Sequence, residues 1–236
     1  MCYNTKANYH SKGDPPLTAI YAIPVAAVNP DDSKSRARIS PERMAWIDRL
    51  RGNARRQSFA ATLLLEYAVT KHFSWAIHPL AISIAEGGKP YLVAEPGIHF
   101  SLSHSGDWAV CAVSDRPVGV DIEWCNPDRR DIASRFFHKD EVRYLNSLPF
   151  YTRTDAFYSL WTLKESFVKS TGRGLDLPLR SFCVRLRNGA APLLETREGT
   201  PPCSLFLPPF PADKTYRLAV CVQQVGAEQP QVHILD

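Results

Sequence analysis

The spacing of apolar residues changes several times along the chain, and each change predicts an element. LTAIYAIPVAAV (17–28) is a strand-like run that Pro24 interrupts or ends. Ser40-Pro41-Glu42 is a helix start, with Ser40 as N-cap and Pro41 at the first helical position. From Arg56 to Phe73 apolar residues return at helical spacing, Phe59, Leu63 and Tyr67 on one face with Leu64 and Ala68 alongside, which predicts a long amphipathic helix. Gly87-Gly88-Lys89-Pro90 is a turn before the short apolar piece Tyr91-Leu92-Val93. In IHFSLSHSGDWAVCAVSDRPVGVDIEW (98–124) the alternation is broken at Ser105-Gly106-Asp107 and at Asp115-Arg116-Pro117, which predicts three strands in an antiparallel meander. Helical period returns over 129–148 and 154–172, the second stretch ended by Gly172, and alternation resumes over 181–186, 203–208 and 216–224.

The two parts of the chain thus share an order, helix first and meander after, and WAVCAV (108–113) echoes LAVCVQ (218–223). The expected architecture is α+β, with two similar halves related by a pseudo-twofold, each a helix packed on an antiparallel sheet. The halves are expected at 17–116 and 117–236, after a disordered polar tail at 1–16, and the active site is expected in the cleft between them.

Composition narrows the class without choosing a function. The 236 residues are 44% hydrophobic and 22% charged, as in a soluble globular protein. No run approaches the roughly 18 apolar residues of a membrane span, and MCYNTKANYHSKGD lacks a signal-peptide core, so a cytoplasmic protein with no membrane partner is expected. Six scattered cysteines form no C-x-x-C pair and, with the histidines, show no zinc-ligand spacing; they read as reduced, buried thiols. The net charge of +4 is modest. Arg49, Arg51, Arg55 and Arg56 concentrate positive charge ahead of the long helix, as a solvated face or a basic module for nucleic acid would, but nucleic-acid binding explains none of the acidic positions below.

Those positions carry the chemistry. Asp121 and Glu123 are two apart on a strand, so both carboxylates leave the same face and repel unless a cation lies between them. In WTLKESFVKSTGRGL (161–175), Glu165 and Lys169 are four apart on one helical face, with Lys164 about a third of a turn away. An ordinary Glu-Lys helix pair accounts for part of this; two lysines flanking a glutamate ahead of a Gly-Arg-Gly turn point to phosphate binding.

VGVDIEW (118–124) together with FYSLWTLKESFVKSTGRGL (157–175) resembles the signature pair of 4'-phosphopantetheinyl transferases. ISPER (39–43), GKP (88–90), FSLSHSGDWAV (100–110), RFFHKDE (135–141) and LPLRSFCVRL (177–186) are similar, in the same order, to the Sfp-like, surfactin-synthetase-activating branch. The resemblance implies Mg²⁺-dependent transfer of the phosphopantetheine arm of coenzyme A to a serine of an acyl or peptidyl carrier protein, with release of 3',5'-ADP. It implies Asp121, Glu123 and Glu165 as Mg²⁺ ligands, and Lys164 and Lys169 on the pyrophosphate. Ser103 and His104 would hold phosphates, Lys89 would meet the nucleotide end, and Arg43 and Arg56 would serve the 3'-phosphate. Glu165, Lys169 and Asp121 are the expected catalytic groups, with either Glu165 or a metal-bound water as base. Residues 125–153 are the expected carrier-docking segment, with Phe136 and Phe137 as anchors. A complete site within one chain implies a monomer, unlike the short trimeric holo-acyl-carrier-protein synthase branch. The alternative within the family is a coenzyme A-binding member that transfers nothing.

Overall fold

In VGVDIEW the alternation has a direct structural counterpart. Val118, Val120 and Ile122 point into a core, and Gly119, Asp121 and Glu123 point to the other face. The computed structural model describes residues 17–126, 132–187, 189–196 and 200–236, so the expected disordered tail lies outside the described residues.

In chain order the elements are β1 (Thr18–Pro24), α1 (Ser33–Arg36), α2 (Pro41–Ile47), α3 (Gly52–His72), β2 (Ile82–Ile84), β3 (Pro90–Leu92), β4 (His99–Ser105), β5 (Trp108–Ser114) and β6 (Val118–Trp124). They continue with α4 (Ala133–Phe136), α5 (Lys139–Ser147), α6 (Phe150–Thr171), β7 (Cys183–Arg187), β8 (Ala190–Glu195), β9 (Ser204–Phe206), β10 (Tyr216–Val222) and β11 (Val232–Ile234). The fold is α+β. Ser40 caps α2 through Arg43 N, with Pro41 at the first position, and Gly172 ends α6 in the left-handed conformation, as the sequence predicts.

The larger sheet runs β11-β1-β5-β4, and a second runs β6-β10-β9; β2-β3 and β7-β8 form separate pairs. The predicted three-strand meander therefore stops at two strands. β5 is already flanked by β1 and β4, which leaves β6 no free edge, and β6 pairs with β10 instead. The predicted helix over 129–148 also divides: Phe137 and His138 are extended, and His138 caps a new helix, α5, in a capping box with Glu141. Residues 129–131 of that stretch lie outside the described residues. β2, β8 and β11 are additions that the pattern does not predict; β11 is too short to alternate visibly and is held by parallel pairing with β1.

Among the described residues three cores hold the sheets and their helices, and a fourth, of Ile39, Met44, Ile47 and Phe59, seats α2 on α3. α3 packs Leu64, Leu65 and Ala68 on Tyr21, Phe100 and Cys111 of the first sheet. α6 packs Phe157, Leu160, Leu163 and Phe167 on Ala219 and Cys221 of the second. The remaining faces of the two sheets share a core, in which Ile20, Val110 and Ala112 meet Val120, Ile122 and Val220.

The contact between β6 and α6 is unusually close. A Cβ on Gly119 would lie 1.9 Å from the Ser166 carbonyl oxygen and 2.5 Å from Ser170 N, so only glycine lets this turn of α6 rest on the strand. Gly119→Ala is therefore expected to cost about 3 kcal/mol or more, the upper range for overpacking, because backbone rather than a side chain must yield. Gly97→Ala, where a Cβ meets nothing within 4 Å, should stay within about 0.5 kcal/mol of the parent. Urea denaturation of the two variants measures the difference.

Candidate active site

Gly119 brings Lys169 of α6 over Asp121 of β6. The Lys169 ammonium lies 2.7 Å from Asp121 Oδ1 and also donates to the Val120 carbonyl at 3.1 Å. Asp121 is 4% exposed, and its second oxygen, Oδ2, is buried with no hydrogen-bond partner among the described residues. Desolvation, then the nearby Asp121 charge, hold the Glu165 carboxyl above the usual glutamate range, and Glu123 adds to the effect while Lys169 opposes it.

The other wall of the site is β4. Ser101, Ser103 and Ser105 alternate along it, and their hydroxyls accept the N–H groups of Val120, Ile122 and Trp124 at 3.0, 3.4 and 3.0 Å. Two of these serines also donate to the carboxylates: Ser103 Oγ to Asp121 Oδ1 and Ser105 Oγ to Glu123 Oε2, each at 2.9 Å. The hydroxyls thus join the edges of two sheets that share no ladder there. Sequence reasoning assigned only Ser103, as a phosphate contact; its hydroxyl is engaged instead with Asp121 and Ile122. Period-two serines facing a D-x-E strand were the available signal for Ser101 and Ser105. His104, exposed next to Ser103, is held below its ordinary pKa by partial desolvation and then by Lys169.

Lys89 arrives from the β2-β3 turn and donates to the carbonyls of Val118 and Ser170 at 3.0 and 3.2 Å. Burial lowers its pKa to about 8. The turn is seated by glycines: a Cβ on Gly87 would lie 2.0 Å from the Gly172 oxygen, and one on Gly174 would lie 2.6 Å from the Gly87 oxygen. Lys89, Glu165 and Lys169 line a cavity of about 990 Å³ that also takes in Arg135, Phe136 and Trp161.

Of the expected site residues, Asp121, Glu123, Ser103 and His104 stand on the strands behind this cavity rather than in its lining, and Lys164, Arg43 and Arg56 are engaged elsewhere. Lys164 is 0% exposed; its ammonium bonds Glu141 Oε1 at 2.6 Å and the Phe182 carbonyl at 2.8 Å, so its assignment to the pyrophosphate is corrected to a structural one. One residue along a helix is about 100° of rotation, which turns Lys164 into the core while Glu165 faces out. Arg43 donates to Thr62 Oγ1 at 3.2 Å and stacks on Trp46, and Arg56 is exposed near Asn29 and Pro30. Of the basic cluster, Arg55 is taken up by Asp31 and Asp48. Phe137, expected as a docking anchor, is 4% exposed and stacks on Phe157, whereas Phe136 reaches the cavity.

Known families match both parts of the chain. Residues 35–116 fit the model described as 4'-phosphopantetheinyl transferase, N-terminal, and residues 117–221 fit that of the 4'-phosphopantetheinyl transferase superfamily. A 4'-phosphopantetheinyl transferase of Bacillus subtilis is 43% identical over 159 residues, 67% of this chain and 70% of the relative. The 4'-phosphopantetheinyl transferase Sfp of Bacillus subtilis strain 168 is 38% identical over the same shares, and psf-1 of Bacillus pumilus is 34% identical over 89% of this chain and 92% of its own. The chain belongs to the 4'-phosphopantetheinyl transferase family, in its Sfp-like branch, and is a transferase. No helix among the described residues is long and apolar enough to cross a membrane.

The buried Lys164–Glu141 pair yields a stability prediction. Glu141 Oε1 also accepts Val184 N at 2.7 Å. Glu141→Ala should cost about 3–5 kcal/mol, because it leaves a buried cation unpaired. The double variant Lys164→Met, Glu141→Gln should recover most of that loss, since a glutamine oxygen can still accept from Val184 N. Thermal unfolding of the three proteins checks the order.

Proposed function

We propose that phosphopantetheine passes from coenzyme A to a carrier-protein serine at the Asp121–Glu165–Lys169 cluster, in a cleft between two halves of the chain near residues 17–116 and 117–236. The observation that carries this reading is that Asp121, whose buried Oδ2 has no hydrogen-bond partner among the described residues, meets through Oδ1 a helix that supplies both the Lys169 cation and a carboxyl, Glu165, held above its usual range.

The donor set suits Mg²⁺, which takes hard oxygens and substrate phosphate oxygens. Asp121 and Glu123 would hold the ion, with Glu165 completing the protein ligands. Bound there, it would neutralise pyrophosphate charge and help the leaving phosphate depart. The residues of the chain supply the rest. Lys169, already held at Asp121, is placed to offset charge that develops on the departing 3',5'-ADP. Glu165, made more basic by burial and Asp121, takes the serine proton as the serine oxygen bonds the β-phosphorus and the bond to 3',5'-ADP breaks. Ser103 and Ser105 fix the carboxylates so that little reorganisation accompanies the reaction. Lys89 serves the nucleotide end from the turn seated on Gly172, while His104 and, farther out, Arg43 and Arg56 are left for the phosphates.

Phe136 and Trp161, with Arg135 beside them on the cavity wall, suit an acidic, partly apolar helix of a carrier protein. One chain supplies all these groups, which favours a monomer.

Incubation with coenzyme A, Mg²⁺ and an apo carrier protein should give a carrier whose mass has risen by one phosphopantetheine arm. Asp121→Asn should reduce transfer at least about a hundredfold, by removing the charge while keeping its shape. In calorimetry the same variant should bind coenzyme A alike in Mg²⁺ and in EDTA, whereas the parent binds more tightly in Mg²⁺. Parent-like transfer by Asp121→Asn contradicts the reading.

Lys89 adds a pH dependence. Its folded pKa, about 8, lies below the ordinary 10.5, so between those values the folded chain binds fewer protons than the unfolded one and this group favours folding as pH rises. Binding of an anion needs the charged form. KM for coenzyme A should therefore rise as pH passes about 8, and Lys89→Met should raise KM at neutral pH and flatten that rise.

A further inference from the structure

The sequence shows no zinc-ligand spacing, yet the fold assembles a ligand set that no linear motif reveals. His138 and Asp140, at the start of α5, converge on Cys183, the first residue of β7, and one ligating atom from each lies within 4.8 Å of the other two. This is the one such trio of His, Cys, Asp or Glu among the described residues, and it uses none of the groups placed in the transfer site.

We propose that His138, Asp140 and Cys183 bind one divalent cation of the zinc class, with water as the fourth ligand. The reasoning starts from the donors. A thiolate, an imidazole and a carboxylate together suit zinc or cobalt and do not suit Mg²⁺, which takes oxygen. Bonds of about 2.0–2.3 Å require donors about 3–4 Å apart across a tetrahedron. His138 and Asp140 keep 28% and 26% of their side-chain surface exposed, so both can rotate the remaining distance toward the buried Cys183.

His138 Nδ1 accepts Asp140 N at 3.3 Å in the cap, a contact that a metal on that nitrogen would replace, and the other local bonds compete little for the donors. Asp140 Oδ1 accepts from the Arg143 guanidinium at 2.9 Å, and its Oδ2 lies 3.7 Å from His138 Nδ1. Arg185 stands 3.9 Å from the same Oδ2, but its guanidinium is drawn to Glu195 at 2.6 Å. His138 is also an uncommon N-cap. Serine, threonine, aspartate or asparagine would cap α5 better, and His138 Nδ1 meets Asp140 N at only 3.3 Å. Capping alone therefore gives little reason for an imidazole beside a thiol and a carboxylate.

A cation there would clasp the start of α5 to the start of β7. Those are the segments that Glu141 already joins through Lys164 and Val184 N. The expected consequence is a stability gain that depends on metal concentration.

Titration of the full chain with Co²⁺, in excess Mg²⁺ to occupy the carboxylates of the transfer site, tests the assignment. One equivalent of Co²⁺ should produce a near-ultraviolet thiolate-to-cobalt band and tetrahedral visible bands, and Zn²⁺ should abolish both. The thiolate band should vanish in Cys183→Ala. His138→Ser, which retains an N-cap, should weaken affinity by at least about tenfold, since even second-shell partners of a metal typically contribute that much. Zn²⁺ should raise the melting temperature of the parent and leave that of Cys183→Ala unmoved; circular dichroism confirms that the variants fold. Absence of a thiolate band in the folded parent, or its persistence in folded Cys183→Ala, overturns the proposal.

Discussion

The separation between β6 and α6 governs the proposed transfer site, and it is set by a missing side chain. With hydrogen in place of a Cβ at Gly119, the helix backbone comes to rest on the strand. Lys169 then meets Asp121 at 2.7 Å, and Glu165 is carried into the field of the same carboxylate. A methyl group there would lift the last turns of α6 and move Lys169 and Glu165 together. The remaining contacts follow from that approach: the serines of β4 reach the amides of β6, and Gly87 and Gly174 let the β2-β3 turn sit against the end of the same helix.

The electrostatics of the site are those of a charge left partly unmatched. Asp121 is paired with Lys169, and Glu165 stands in the field of both, while the other lysine of the motif is used up in the core by Glu141. Burying Asp121 with one oxygen unpaired costs stability unless a ligand supplies the missing positive charge. A site of this kind favours a substrate that arrives with its own cation, as a pyrophosphate does. The second lysine serves a different end, since its pair with Glu141 fixes the rotation of α6 that points Glu165 outward.

Much of this was legible in the sequence because it depends on local period. Alternation in VGVDIEW put Asp121 and Glu123 on one face, helical spacing put Glu165 and Lys169 on another, and the caps at Ser40 and Gly172 bounded their helices. What was missed depends on distant parts of the chain. That β6 leaves its neighbours follows from β1 occupying the edge of β5. That Lys164 turns inward depends on Glu141, a residue of another helix. The split of the helix over 129–148 was partly visible, since His138 and Glu141 stand at capping-box spacing, though with an uncommon cap. Gly119 could have been read, because glycine inside a strand marks close backbone approach.

The most direct measurement is a crystal structure with coenzyme A and Mg²⁺ bound. The account predicts the metal on Asp121 Oδ2, the oxygen now without a partner, with the pyrophosphate between it and Lys169. A pyrophosphate bound elsewhere, with the Asp121–Lys169 contact intact and Oδ2 still unliganded, would contradict it.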